Sequence, residues 1–382
     1  RYASWRANTA IRIGYCRKLY SAIGVGHVAL SVHTSVSLPP MIIFKRRLID
    51  AAPLITLWLS AALLCAFITG ESFAADKIRI FYSAITGEQS AFYIVKESGM
   101  LQKYGLDPEM IFLDSGTIAV QAMLSGEIQL GLLGSTAAIS SSLRGSDIKI
   151  IAGMINSLTY ILMSDPKITR PEQLKGGKIA IARFGSLSDF GVRLALKRLN
   201  VPLSDVTLLQ LGGGQTARLG ALKSGVVQAA IFAPPITRVA REQGFYSMLD
   251  MIKEKFEYAG LAIAASGAFL RDKPDLAARF MRAYAAGIHY AKTHKDDSMR
   301  ITARYMKLDV NKDRASLEET YNIFIQDVVQ RKPYPSLEGI QRVLDQIAET
   351  DPKAKSAKPE QFVDTRLLTE LDRSGFIDNL YK

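Results

Sequence analysis

Short apolar runs alternate with amphipathic stretches along most of the chain. Residues 78–83 (IRIFYS), 109–113, 129–133 and 149–152 are brief apolar segments bounded by charged or turn-forming positions, a pattern that predicts buried strands. Between them, residues 91–101, 118–124 and 136–143 carry apolar side chains at helical spacing and predict helices. Strands separated by helices of that length favour a parallel sheet covered on both faces. Gly105 and the Asp107-Pro108 pair mark the turn into the second strand.

The pattern then repeats. Residues 122–129 (AMLSGEIQ) align without gaps on residues 221–228 (ALKSGVVQ), with four identical positions, and the apolar runs that follow align as well. Thr117 falls on Thr216, the strand beginning at Ile78 on residues 178–182, and the strand beginning at Glu109 on residues 206–211. A nearly constant offset for strand, helix and turn predicts two topologically equivalent lobes.

Two β-rich stretches pass between the lobes: residues 156–165 (NSLTYILMSD) lead into the second, and residues 259–266 (AGLAIAAS) lead out of it. The expected organisation is a first lobe over residues 75–165, an inserted second lobe over 166–258 and a return to the first lobe over 259–382. Two crossings make a hinge. The return is helical: residues 273–292, 298–306, 315–329 and 337–348 carry apolar faces, for example Phe280, Tyr284, Ile288 and Ala291. The fold class is therefore α/β, with two Rossmann-like lobes built on parallel-rich sheets, each large enough for its own core, and a helical C-terminal section on lobe 1.

Ahead of this lies a different pattern. Lys45, Arg46 and Arg47 precede an uncharged run over residues 51–70, and Ser72-Phe73-Ala74 supplies small-x-small spacing, so residues 41–74 are expected to be a signal peptide cleaved after Ala74. The competing expectation is an uncleaved membrane helix, since the run is long enough to span a bilayer. Residues 1–40, upstream of Met41, are expected to be a non-native extension and take no part in the fold. The predicted location is the periplasm.

Setting the leader aside changes the chemistry. Without residues 1–74 the formal charge of +12 halves, and the remaining excess is scattered, so nucleic acid is not an expected partner. Both cysteines (Cys16, Cys65) and both tryptophans (Trp5, Trp58) fall within residues 1–74. Without a thiol, the rest of the chain has no disulfide, cysteine nucleophile or Cys-ligated zinc. Only His289 and His294 remain of the histidines, five residues apart and beside Lys292 and Lys295, spacing that suits a basic helix surface rather than a shared site. No cofactor and no metal are expected.

In open parallel sheets ligands collect beyond the carboxyl ends of the strands, where helix N-termini favour anions. Small polar residues stand at those points in both lobes. In the first they are Ser83, Thr86 and Gln89, then Ser115 and Thr117, then Ser135 and Thr136; in the second, Arg183, Phe184, Gly185 and Ser186, then Gly214 and Gln215, then Pro234. Asn156 joins them at the first crossing. Hydroxyls, glycines and an arginine suit an anionic ligand such as a sulfonate, carboxylate or oxyanion. Each has a plainer role open to it. Thr117, Ser135, Ser186 and Thr216 are also N-cap residues, Gly126 and Gly225 suit left-handed C-caps, and Arg183 is equally suited to an ion pair with Asp189. Phe184 suits a ligand wall or a core position, and so does Tyr160. Gly212 to Gly214 lacks the spaced third glycine of a dinucleotide fingerprint.

Several phrases, in order, resemble one family. Residues 99–107 (GMLQKYGLD), residues 124–131 (LSGEIQLG), Arg183-Phe184-Gly185-Ser186, Gly212-Gly213-Gly214-Gln215, Pro234-Pro235 and Phe362-Val363-Asp364 are similar to the exported substrate-binding proteins of ABC importers for nitrate, sulfonates, taurine and thiamine-pyrimidine precursors. The resemblance covers residues 76–382. It implies a type II periplasmic-binding fold, a monomer that traps a small molecule by hinge closure, and a membrane permease as partner. An enzymatic branch of the same fold makes a pyrimidine precursor with pyridoxal phosphate and uses a cysteine-rich motif; the absence of cysteine after Cys65 argues against it. A ligand sensor without transport remains a further alternative.

Overall fold

The computed structural model describes residues 75–382, so the leader and the extension before it lie outside the described residues. Ten strands form two five-stranded sheets. In chain order they are β1 (Asp76–Tyr82), β2 (Leu106–Phe112), β3 (Leu130–Gly134), β4 (Ile148–Ser157), β5 (Ile161–Ser164), β6 (Lys178–Ile181), β7 (Thr207–Gln210), β8 (Ala229–Phe232), β9 (Tyr246–Asp250) and β10 (Glu257–Ser266). The first sheet has the order β2-β1-β3-β10-β4 and the second β7-β6-β8-β5-β9.

The internal repeat survives as topology. β1 pairs in parallel with β2 and β3, just as β6 pairs in parallel with β7 and β8. Each trio then receives an antiparallel strand: β10 lies between β3 and β4, and β5 lies between β8 and β9. β2 is an edge strand, which is why Pro108 can sit inside it without costing the sheet a hydrogen bond it needs.

Two expectations about the crossings change. Ile161–Ser164 is not a connector but a fully buried strand of the second sheet, so the chain crosses at residues 158–160 and returns at residues 251–256. A four-residue apolar run embedded in a longer β-rich stretch carries no mark of which sheet it joins. The cores are also not separate. Apolar packing runs without a break from the first sheet through Leu187 and Phe190 to one face of the second, while Ile161, Met163, Leu222 and Phe232 form a smaller cluster on its other face. The lobes touch, and their facing surfaces merge.

The helices that matter for the site are α1 (Ser90–Glu97), α2 (Gly116–Leu124), α3 (Ser135–Leu143), α4 (Leu187–Arg198), α5 (Gly214–Lys223) and α6 (Ile236–Glu242). The helix expected over residues 91–101 breaks at Gly99, whose φ of 76° ends α1 before a short turn over Met100–Lys103. In the C-terminal section α7 (Pro274–Thr293) lies across α1, so close that a Cβ at Gly287 would sit 2.7 Å from the Val95 side chain. The helix expected over 315–329 starts as an α-helix (Arg314–Thr320) and widens into a π-helix (Tyr321–Val328). It is followed by α8 (Leu337–Ile347). Val363 bridges Ile150, tying the C-terminal section to the first sheet.

Candidate functional site

A cavity of about 50 Å3 lies between the lobes at the carboxyl ends of the parallel strands. Its lining comes from the turn after β1 (Ser83, Thr86, Glu88, Gln89), the turn after β2 (Asp114, Ser115), the crossing (Tyr160) and, from the second lobe, Ser186, Gly214, Gln215 and Arg218. The short strands end in polar turns because the ladder stops there, and the next helix turns its first residues back over the strand ends.

Seven of the residues expected from sequence are brought together here: Ser83, Thr86, Gln89, Ser115, Ser186, Gly214 and Gln215. Several are held by their own lobe. The Gln89 side chain closes the first turn, accepting from the Ser83 backbone N–H and donating to Ser83 Oγ, both at 3.2 Å. Gln215 Oε1 accepts from the Ala233 N–H at 2.7 Å. Ser186 Oγ donates to the Arg183 carbonyl at 2.7 Å. Ser115 adopts φ 128°, a strained region for a residue with a Cβ, and its Oγ caps α2 by accepting from the Ile118 N–H.

The other expected residues lie elsewhere. Thr117, Phe184 and Gly185 face a wider groove of about 790 Å3 beside the cleft, and Phe184 is exposed. Ser135 and Thr136 are buried but do not line the cavity. The Pro234 carbonyl packs against Gly87. Asn156 lines a separate pocket beside the crossing, its amide donating to the Tyr334 carbonyl and its oxygen accepting from the Ser336 N–H. Arg183 does not pair with Asp189, which is taken by Arg193 and by the Gly185 N–H, each at 2.8 Å. Arg183 Nε instead donates to the Asp114 carbonyl of the other lobe. Of the hydroxyls weighed as caps, Ser186 occupies the N-cap position without a side-chain cap bond, whereas Gly126 and Gly225 do take left-handed φ.

Two charged residues that sequence reasoning missed occupy the heart of the cavity. Glu88 is 1 % exposed and Arg218 is 4 % exposed. Glu88 Oε2 accepts from Thr159 Oγ1 at 2.9 Å and Oε1 accepts from the Tyr160 hydroxyl at 3.1 Å, both donors belonging to the crossing. Burial pushes the Glu88 carboxyl up to about 7, against the lowering effect of those hydroxyls and of Arg218. Burial likewise lowers Arg218 from the usual arginine value, opposed by Tyr160, Asp114 and Glu88. Arg218 Nε has no hydrogen-bond partner among the described residues. The one available signal was position: Arg218 stands three residues beyond Gln215, on the same helical face.

The lobes are closed over this cavity. Asp114 Oδ2 accepts from the Gly213 N–H at 3.0 Å, and a Cβ at Gly134 would lie 2.8 Å from Leu187 Cβ. At the rim Lys197 pairs with Glu349 at 2.6 Å, Arg241 with Glu319 at 3.5 Å, and Gln346 donates to the Phe190 carbonyl. Among the described residues no group of three or more His, Cys, Asp or Glu is placed to hold a metal ion, and no helix is long and apolar enough to cross a membrane.

Two mixed sheets, facing polar turns and a double crossing define a two-lobed protein of the periplasmic-binding fold. The chain belongs to the NMT1/THI5-like family, whose profile matches residues 87–298. It is 24% identical over 269 residues to a putative binding protein of Brucella abortus, covering 68% of this chain and 80% of that one. Among solved structures it is similar to the alkanesulfonate-binding protein SsuA of Xanthomonas axonopodis bound to MOPS, with TM-score 0.60 and 18% identity over 74% of this chain and 95% of that one. It is also similar to the periplasmic nitrate-binding protein NrtA of Synechocystis, with TM-score 0.61 and 13% identity over 79% of this chain and 89% of that one.

Proposed function

We propose that this protein is the extracytoplasmic solute-binding component of an ABC importer, a non-catalytic protein that closes on a small anion and delivers it to a membrane permease. The observation that carries this reading is Arg218, a buried guanidinium in the inter-lobe cavity whose Nε lacks a partner among the described residues. A buried donor left unsatisfied costs about 1–3 kcal/mol, more when charged, and an oxyanion supplies the missing acceptors. The binding proteins for alkanesulfonate and nitrate with the same fold support an anionic ligand. The leader over residues 41–74 supports export.

The test is a thermal-shift screen of sulfonates, aromatic carboxylates, nitrate, bicarbonate and aminopyrimidines, because a ligand of the folded state alone raises apparent stability by RT ln(1 + [L]/Kd). Anions should raise the melting temperature and neutral aminopyrimidines should not. Arg218→Met should abolish the anion shift and weaken binding by about 100-fold or more in calorimetry. Retained affinity in Arg218→Met would remove the guanidinium from the site.

A further inference from the structure

Glu88 is an unusual neighbour for an anion. A carboxylate in the same closed cavity repels the ligand that Arg218 would attract, and at this depth water does little to screen the two charges. The charge count around the cavity sharpens the conflict. Arg218 is the cation of the lining, while Glu88 and Asp114 both present carboxyl groups to it. Arg183 is not among the residues of that lining, and its Nε donates to the Asp114 backbone carbonyl.

The other elements packed against Glu88 bring no further charge. The crossing presents the Tyr160 and Thr159 hydroxyls, and α1 presents Tyr93, whose hydroxyl donates to the Ala84 carbonyl. The π-helical segment and the residue before it set Phe324 and Thr320 against neighbouring Gly87. Of these groups, Glu88 is the one whose ordinary range burial moves into the neighbourhood of neutral pH.

A place for an added proton is present as well. Thr86 Oγ1 is buried beside the Glu88 carboxyl, where its hydroxyl favours the charged form when it points at Glu88, and it has no other hydrogen-bond partner among the described residues. A neutral Glu88 O–H can donate to that oxygen while its other oxygen keeps a hydroxyl donor from the crossing. Asp114 is committed differently, since its Oδ2 accepts from the Gly213 N–H in the closed arrangement.

We propose that the cleft takes up one proton from solvent onto Glu88 as it closes over an anion held by Arg218, so that capture is proton-coupled. This rests on the reading of the cleft as an anion-capture site. The balance is simple: one anion and one proton enter together, the carboxylate becomes a carboxylic acid, and the charge of the sealed cavity is unchanged. Affinity therefore rises with acidity even for an anion that does not itself titrate.

Calorimetry of the full-length protein with methanesulfonate, nitrate and formate, in buffers of different ionisation enthalpy, reads this directly. At pH 7 the observed enthalpy should vary with the buffer by an uptake of about half a proton for each anion bound. The dissociation constant should be level below pH 6 and rise about tenfold per pH unit above pH 7. Glu88→Gln should abolish both the uptake and the pH dependence. Binding of any probe by the wild-type protein without proton uptake overturns the proton link and leaves anion capture standing. Failure of all three probes to bind at pH 5.5 and at pH 8 overturns both. Should Glu88→Gln not fold, the wild-type buffer series decides the matter alone.

Discussion

Glu88 and Arg218 show how a residue's role can hide from sequence. Small polar residues and glycines at strand ends were legible because the strands were, and seven of them do line the cavity. A charged side chain is ordinarily solvated, and only the packing of both lobes and the crossing makes these two buried. Arg183 drew attention by following a strand directly, yet its Nε ends on a backbone carbonyl. The burial of Glu88 has a cost that depends on pH. Its carboxyl sits at about 7 in the fold against 4.5 ordinarily, so the native state holds the proton more tightly than the unfolded chain. Its contribution is fully present below pH 4.5 and is lost as pH rises through 7, a loss of roughly 3 kcal/mol from the size of that shift. Glu88→Gln removes the charge and keeps one oxygen to accept from a crossing hydroxyl, while the other hydroxyl turns to accept from the new amide N–H. It should raise the melting temperature of the ligand-free protein by roughly 5 °C at pH 8 and change it little at pH 4.5, as scanning calorimetry at the two pH values would show.

At the scale of elements, the repeated β-α-β pattern was readable because periodicity survives without tertiary information. The duplicated 122–129 and 221–228 segments each end a helix on a left-handed glycine before a strand, as their spacing implied. The membership of β5 was not readable, since pairing partners are chosen across the sheet rather than along the chain. Nor was the π-helical turn at Tyr321–Val328, which has no compositional signature. The contact between β3 and α4 gives the closed state a steric test. Gly134→Ala places a methyl 2.8 Å from Leu187 Cβ, too near for either backbone to ignore. The substitution should hold the lobes apart and weaken ligand binding by roughly tenfold, with an enlarged scattering radius that saturating ligand does not fully restore.

The molecule as a whole presents rim contacts that exist only when the lobes meet. The pairs Lys197–Glu349 and Arg241–Glu319 are exposed and each contributes little, so they bias the closed state without locking it. On the proposed function, ligand contacts from both lobes would then shift the population toward closure. Small-angle scattering should show a smaller radius of gyration with ligand than without, and an unchanged radius at saturation would count against hinge closure.

The placement of β10 has a consequence for how the chain acquires its shape. The second sheet is assembled entirely from residues 161–250, a contiguous stretch, whereas β10 fills the gap between β3 and β4 from a point about a hundred residues downstream of β4. Long-range pairing of that kind is slow, because the intervening chain must be ordered first. The first sheet therefore stays incomplete until β10 has been made and has returned past the inserted lobe. A chain built this way keeps an unfinished sheet for much of its synthesis, which would suit the export proposed above.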